Sequence, residues 1–317
     1  MTITLLPEPR HRRRLTTALA YSLLLGASLT VGLLWFPSSR LGSWHYFDLA
    51  SRSLFGGLGL HVFALHPELQ FGPVAIMATK VTAILGGDDQ RTLFAVMLGV
   101  LLTPSVWLLE RAARARHQWD RRRAVVLAVG AALLVPAWVE LAFRSGHIDD
   151  ALAIACTAVS VWAIATDRPL VAAFALAVAI DAKPWAISFT PMLLAFQPRR
   201  RWRALAACAL GVAIAWMPFV LAAPATLHTA AYKIANSPSS ALRWLGVHSA
   251  ATPPWDRPAQ TLLGVVVGCW LVRRGQWPAV MLAALSVRLL LDPATHHYYS
   301  AGLLFAALAF DVLVARA

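Results

Sequence analysis

Residues 124–139 read AVVLAVGAALLVPAWV, and how that run is folded decides the fold of the whole chain. A half-buried strand would alternate apolar and polar residues, and this run does not. It continues toward Phe143, approaching the ~20 residues that an α-helix needs to cross a bilayer. Its flanks differ in chemistry. RAARARHQWDRRR (111–123) precedes it and FRSGHIDD (143–150) follows it, so arginines mark one end and acids with a histidine mark the other.

Working outward, the pattern repeats along all 317 residues. The chain is 59% hydrophobic and only 14% charged, whereas soluble domains carry roughly a quarter charged residues. Only helices or closed barrels satisfy the backbone in lipid, and the period-two alternation of a barrel strand is missing. The expected class is an all-α polytopic membrane protein. The net charge of +13 does not point to nucleic acid, because 18 of the 28 Lys and Arg fall in short segments assigned to the cytoplasmic side. They read as topology anchors near anionic lipid. Cys156, Cys208 and Cys269 lie in different apolar runs with no metal spacing, and read as packing residues.

With the basic tail EPRHRRR inside, a first helix (about 15–36) exits the membrane. Its long apolar run and lack of a small-x-small site argue for an uncleaved helix rather than a removed signal. Residues 37–90 form a first outer loop. Within it, the apolar 71–87 contains Lys80; counting it as a full span would place the arginines of 111–123 outside, against the charge rule. It is therefore expected as a short juxtamembrane helix, packed against protein. Further spans follow at 91–110, 123–143, 150–166, 168–182, 184–198, 204–222, 259–273, 278–291 and 299–315, with a second outer loop at 223–258. About ten spans in one domain covering 1–317 result, multi-pass, with both termini cytoplasmic.

Eight of the ten histidines fall on the outer face, together with Asp48, Glu68, Asp149, Asp150 and Asp292. Asp48, in SWHYFDLASR, can be a general base or a solvated loop or capping aspartate. Glu68 and Gln70, in HPELQFGP (66–73), offer paired hydrogen bonds to sugar hydroxyls, or simply shape a loop. In GHIDD (146–150), His147, Asp149 and Asp150 open a helix where the dipole favours acids; a divalent metal is possible there, though the spacing is not diagnostic. Lys183 in IDAKPW is an ionisable group between two short spans, suited to a phosphate, with Asp181 as an alternative partner. Arg288 precedes Asp292 by one turn, which fits an internal pair or a bidentate phosphate clamp. His296, His297, Tyr298 and Tyr299 follow; the tyrosines suit an interfacial belt, and a histidine can assist a leaving phosphate or orient an acceptor.

No phosphate-binding, dinucleotide, HExxH, GxSxG or CxxC motif is present. HYFDLA, HPELQFGP, GHIDDALAI, AKPW and RLLLDPATHHYY, in that order, resemble the GT-C superfamily of integral membrane glycosyltransferases. They are most similar to the polyprenol-phosphate-mannose-dependent α-mannosyltransferases that extend envelope glycolipids. The resemblance implies a GT-C-like bundle in a bacterial plasma membrane with its active site on the extracytoplasmic side. It further implies inverting transfer of a hexose, mannose first, from a polyprenyl-phosphate sugar to a lipid or glycan acceptor, with no required cofactor.

The same resemblance implies Asp48 as the base, with Lys183 and Arg288 approaching the donor phosphate. From their own chemistry His296 and His297 are expected to aid catalysis, Tyr298 to stand by the donor phosphate, and Glu68, Gln70, His147, Asp149, Asp150 and Trp185 to face sugar or acceptor. Here Asp48 stands alone rather than in an acidic pair. A flippase for a lipid-linked sugar is the rival from another class; it would need inverted repeats and midplane polar residues, and neither is visible.

Overall fold

A computed structural model describes residues 10–36, 41–116 and 119–314, with backbone alone for 10–17. The start of the basic tail, the loop residues 37–40 and Arg316 lie outside the described residues. Every regular element described is helical, apart from a single bridge between Ala235 and Ala251.

The helices are α1 (Arg10–Trp35), α2 (Trp44–Leu54), α3 (Val62–Leu65), α4 (Pro73–Gly86), α5 (Gln90–Val100), α6 (Leu102–Arg116), α7 (Arg121–Val139), α8 (Ile148–Ala165), α9 (Pro169–Ala182), α10 (Pro198–Ala222), α11 (Ala241–Trp244), α12 (Asp256–Arg273), α13 (Val280–Leu290) and α14 (Tyr299–Val314). Five helical stretches are long and apolar enough to cross a membrane, beginning at Ala18, Pro73, Arg121, Ile148 and Pro198. Four shorter apolar helices, within 169–182, 184–195, 277–290 and 299–314, accompany them. The protein is thus a helical, membrane-embedded chain.

The stretch from Pro73 to Arg116 is not one rod. Gly87 takes φ 51° and ψ −121°, a turn that breaks the helix, and α5 packs back against α4. α4 buries Pro73, Ala75, Ile76, Thr79 and Thr82 against protein while Ile84 and Leu85 stay exposed. This is the short, protein-backed helix expected for 71–87. Within 184–198, expected as a short span, Pro184–Ala195 is an apolar 3₁₀ helix. Pro184 opens it and Pro191 interrupts it, and each removes a backbone donor that an α-helix would use.

α7 shows how local chemistry places the site. Asp120 caps it, its carboxylate accepting from the Arg123 N–H at 2.7 Å. Pro136 disturbs the far end, and the helix widens into a π turn over Glu140–Ser145. Gly146 ends it in the left-handed conformation, φ 65°, so that α8 starts immediately with Asp149 and Asp150 in its first turn. α8 is the axis of the bundle, packed by α4, α6, α9, α14 and the 3₁₀ segment. The Ala-rich α9 lies buried between α8 and α10. Gly211 meets Ala177 where they cross, which is the small-residue contact that lets helices approach in lipid.

The basic and the polar segments are tied down by different contacts. At the arginine end, guanidinium groups lie over indoles: Arg114 on Trp119, Arg116 on Trp277, Arg168 on Trp162 and Arg274 on Trp270, all 4.8–5.4 Å from the ring centres. At the opposite end the polar segments are tied together. Thr229 donates to the Phe63 carbonyl at 3.2 Å, Thr295 to the Ser239 carbonyl at 2.9 Å, and the Ser237 N–H to the Pro293 carbonyl at 2.7 Å.

Candidate functional site: a buried acid–base cluster at the polar end

Two of the motifs meet through a glycine. The Gly72 N–H donates to the Ala182 carbonyl at 2.9 Å, and a Cβ at position 72 would lie 2.0 Å from the Asp181 carbonyl oxygen. HPELQFGP therefore presses directly on IDAKPW. Lys183, in extended backbone (φ −140°, ψ 106°) after α9, turns its side chain toward the start of α8.

There its ammonium pairs with the Asp149 carboxylate and lies 3.7 Å from Asp150 Oδ2. Asp181 is not its partner; Asp181 Oδ1 is buried without a hydrogen-bond partner. Residues two apart around a helix end do not face each other. Asp149 is completely buried and accepts the Asp150 N–H at 2.9 Å. Asp150 accepts the Trp185 indole N–H at 3.1 Å. His147 Nδ1 stands 3.3 Å from Asp149 Oδ1 and 3.4 Å from Asp150 Oδ2. Its Nε2 is 2.9 Å from Ser43 Oγ, a contact that pins the entry of α2. The Gly42 and Ser43 N–H groups reinforce the pin by donating to the Arg144 and Ser145 carbonyls.

Arg288 forms the second half of the cluster. Its guanidinium lies 4.7 Å over Trp185 and 4.8 Å over Tyr299. Its one carboxylate contact is long, 3.8 Å from Nε to Asp292 Oδ2. Burial pushes the Asp292 carboxyl up, against the pull of Arg288; it also accepts the Ala294 N–H at 2.9 Å. Two small hollows flank Arg288: one bounded by Ser188, Gln260 and Thr261, the other by Asp150, Tyr298 and Tyr299. A cation close to two aromatic rings and lining two hollows is suited to an incoming anion.

The other expected site residues separate into three groups. Tyr298 belongs to the cluster, stacked on His147 at 3.9 Å and on His296 at 5.2 Å. The stack runs from an exposed imidazole to the buried acids. Glu68 pairs with His66 at 2.9 Å. Gln70 donates to the Pro67 and Thr229 carbonyls and accepts from Arg257, so it joins the segment before α4 to residues 229 and 257. His297 is exposed and enters through its backbone, accepting the Ser300 hydroxyl at 2.6 Å.

Asp48 stands on α2 one residue beyond Phe47, whose ring meets His147 edge-on at 6.3 Å. Its carboxylate pairs with Arg52 at 3.0 Å, with side-chain exposures of 21% and 72%. It lines neither hollow beside Arg288.

Ser43, Arg257 and Gln260 join the polar end without having been singled out by the sequence. Arg257 and Gln260 sit in DRPAQ, the polar first turn of the apolar α12, a usable signal; Ser43 carries none. His147, Asp149 and Asp150 offer ligand atoms within 4.8 Å of one another, a spacing that a divalent ion accepts. No protein-family model, curated protein or solved structure matches the chain.

Proposed function

We propose that the protein is an inverting glycosyltransferase that moves a hexose, mannose first, from a polyprenyl-phosphate carrier to a lipid or glycan acceptor at the outer face of the membrane. The observation that carries this reading is Arg288: a half-buried guanidinium within 4.8 Å of two aromatic ring centres, weakly paired, lining two hollows in an apolar bundle. A nucleotide sugar is not available outside the cytoplasm, so a donor there must be lipid-carried, and its phosphate needs a cation.

In the reaction the acceptor hydroxyl oxygen attacks the anomeric carbon. The bond from that carbon to the phosphate oxygen breaks, and its electron pair leaves on the carrier phosphate, where Arg288 stabilises the charge. A carboxylate takes the hydroxyl proton. Asp149 and Asp150 are engaged by Lys183, His147 and Trp185. Asp48 is reachable, and its single ion-pair partner is a surface arginine that releases it at little cost. Asp48 therefore remains the base in this account, with the His296–Tyr298–His147 stack as the wall of the acceptor path.

The test is transfer by purified protein from polyprenyl-phosphate mannose, compared with nucleotide-activated mannose. Arg288→Gln should raise donor KM and lower kcat, and Arg288→Lys should recover only part, since an ammonium lacks the planar fork. Equal use of both donors, or an unaffected Arg288→Gln, would return the function to open.

A further inference from the structure

We infer that the Lys183 ammonium is a built-in counter-ion, standing where a divalent cation would sit among His147, Asp149 and Asp150, and that shortening Lys183 converts the cluster into a divalent-metal site. The ligand set is already assembled. One imidazole nitrogen and two carboxylates lie within 4.8 Å of one another at the start of α8. The ammonium contacts Asp149 and reaches to 3.7 Å of Asp150 Oδ2. It thus meets the electrostatic demand of a buried acid pair that could not otherwise stay charged.

Two further observations point the same way. Asp150 Oδ2 and His147 Nδ1 are buried and accept or donate no hydrogen bond, although Asp150 is only 5% exposed. The two atoms face each other at 3.4 Å, and Asp150 Oδ2 lies 3.7 Å from the ammonium, so a cation taking the ammonium's place would find ligand atoms that no hydrogen bond already saturates. The other imidazole nitrogen is held by Ser43 Oγ at 2.9 Å. That is the outer contact which orients a metal-ligating histidine, leaving the inner nitrogen to bind. Trp185 fixes the remaining Asp150 oxygen, and the Asp150 N–H fixes Asp149. Hard oxygen and imidazole donors of this kind suit Mn²⁺. The exchange concerns charge and ligand geometry, and it holds whichever group the protein transfers.

The experiment uses the full-length protein in detergent, titrated with MnCl₂ and followed by the free-Mn²⁺ resonance signal and by apparent Tm. Lys183→Ala should deplete the free signal saturably and gain Tm as Mn²⁺ is added. Wild type and Lys183→Arg should do neither over the same range, and Lys183→Ala combined with Asp149→Asn should lose the effect. Growth with added Mn²⁺ covers the case in which Lys183→Ala does not accumulate in ordinary medium: rescue by the ion supports the assignment. Overturning results are Mn²⁺ binding by wild type equal to that of Lys183→Ala, no binding by Lys183→Ala, undiminished binding by the double variant, or failure of Lys183→Ala to fold in both media while Lys183→Arg folds.

Discussion

Replacing Gly72 by alanine tests the contact that sets HPELQFGP against IDAKPW. The added Cβ would lie 2.0 Å from the Asp181 carbonyl oxygen, 2.7 Å from its carbon and 3.2 Å from the Trp216 ring. Two of these three obstacles are backbone and cannot rotate aside, so the segment must retreat by more than an ångström (ordinary contact begins at about 3.4 Å). Retreat also stretches the 2.9 Å bond from the Gly72 N–H to the Ala182 carbonyl. Overpacking costs about 1–3 kcal/mol and a buried donor left without its acceptor about 1–3 kcal/mol more. At about 2–4 °C per kcal/mol for chains of roughly this size, apparent Tm should fall by roughly 5–20 °C. The assay is thermal unfolding in detergent at one fixed scan rate, because such unfolding is commonly irreversible. Gly57→Ala is the control: that glycine is exposed, and nothing lies within 4 Å of its added Cβ. A Gly72→Ala protein that melts with wild type and with Gly57→Ala would refute the close approach.

Other consequences follow from the same site. Lys183→Met and Asp149→Asn should each destabilise strongly, the former by about 3–5 kcal/mol because it leaves buried acids without their cation. The double variant should cost much less than the sum, which a thermal double-mutant cycle would read; simple additivity would mean that the two do not interact. Gly146→Ala places a Cβ in left-handed backbone, φ 65°, 3.0 Å from Leu41, and should cost about 1–2 kcal/mol. Gly146→Asn should be milder despite its size, because asparagine tolerates that conformation; equal or reversed effects would contradict the turn.

Much of the bundle was legible because the physics is local. AVVLAVGAALLVPAWV and its neighbours announce helices by composition, and the structure is helical there. The shortness of 71–87, its Lys80 and the charge rule set α4 apart from α5, where length and hydropathy of the helical run give one stretch. Pro184 and Pro191 stand in plain view, but hydropathy does not distinguish the 3₁₀ helix they impose on Pro184–Ala195 from an α-helix. At the site, GHIDD and AKPW stood out as motifs, but not their pairing: Lys183 and Asp149 are 34 positions apart. Asp181 looked the nearer partner in sequence and is turned away by the helix end. Arg257 meets Gln70 across 187 positions, and Ser43 meets His147 across 104. No periodicity encodes such contacts, because the fold of the intervening helices alone brings them together.

The base assignment is tested most directly by the rate of sugar transfer from polyprenyl-phosphate mannose in purified Asp48→Asn protein, with Asp150→Asn beside it. An asparagine at 48 keeps the shape and cannot take the acceptor's proton. The account predicts that turnover collapses in Asp48→Asn by about 10²–10⁴-fold, with donor binding retained, whereas Asp150→Asn keeps measurable transfer. Near-wild-type turnover by Asp48→Asn would contradict it.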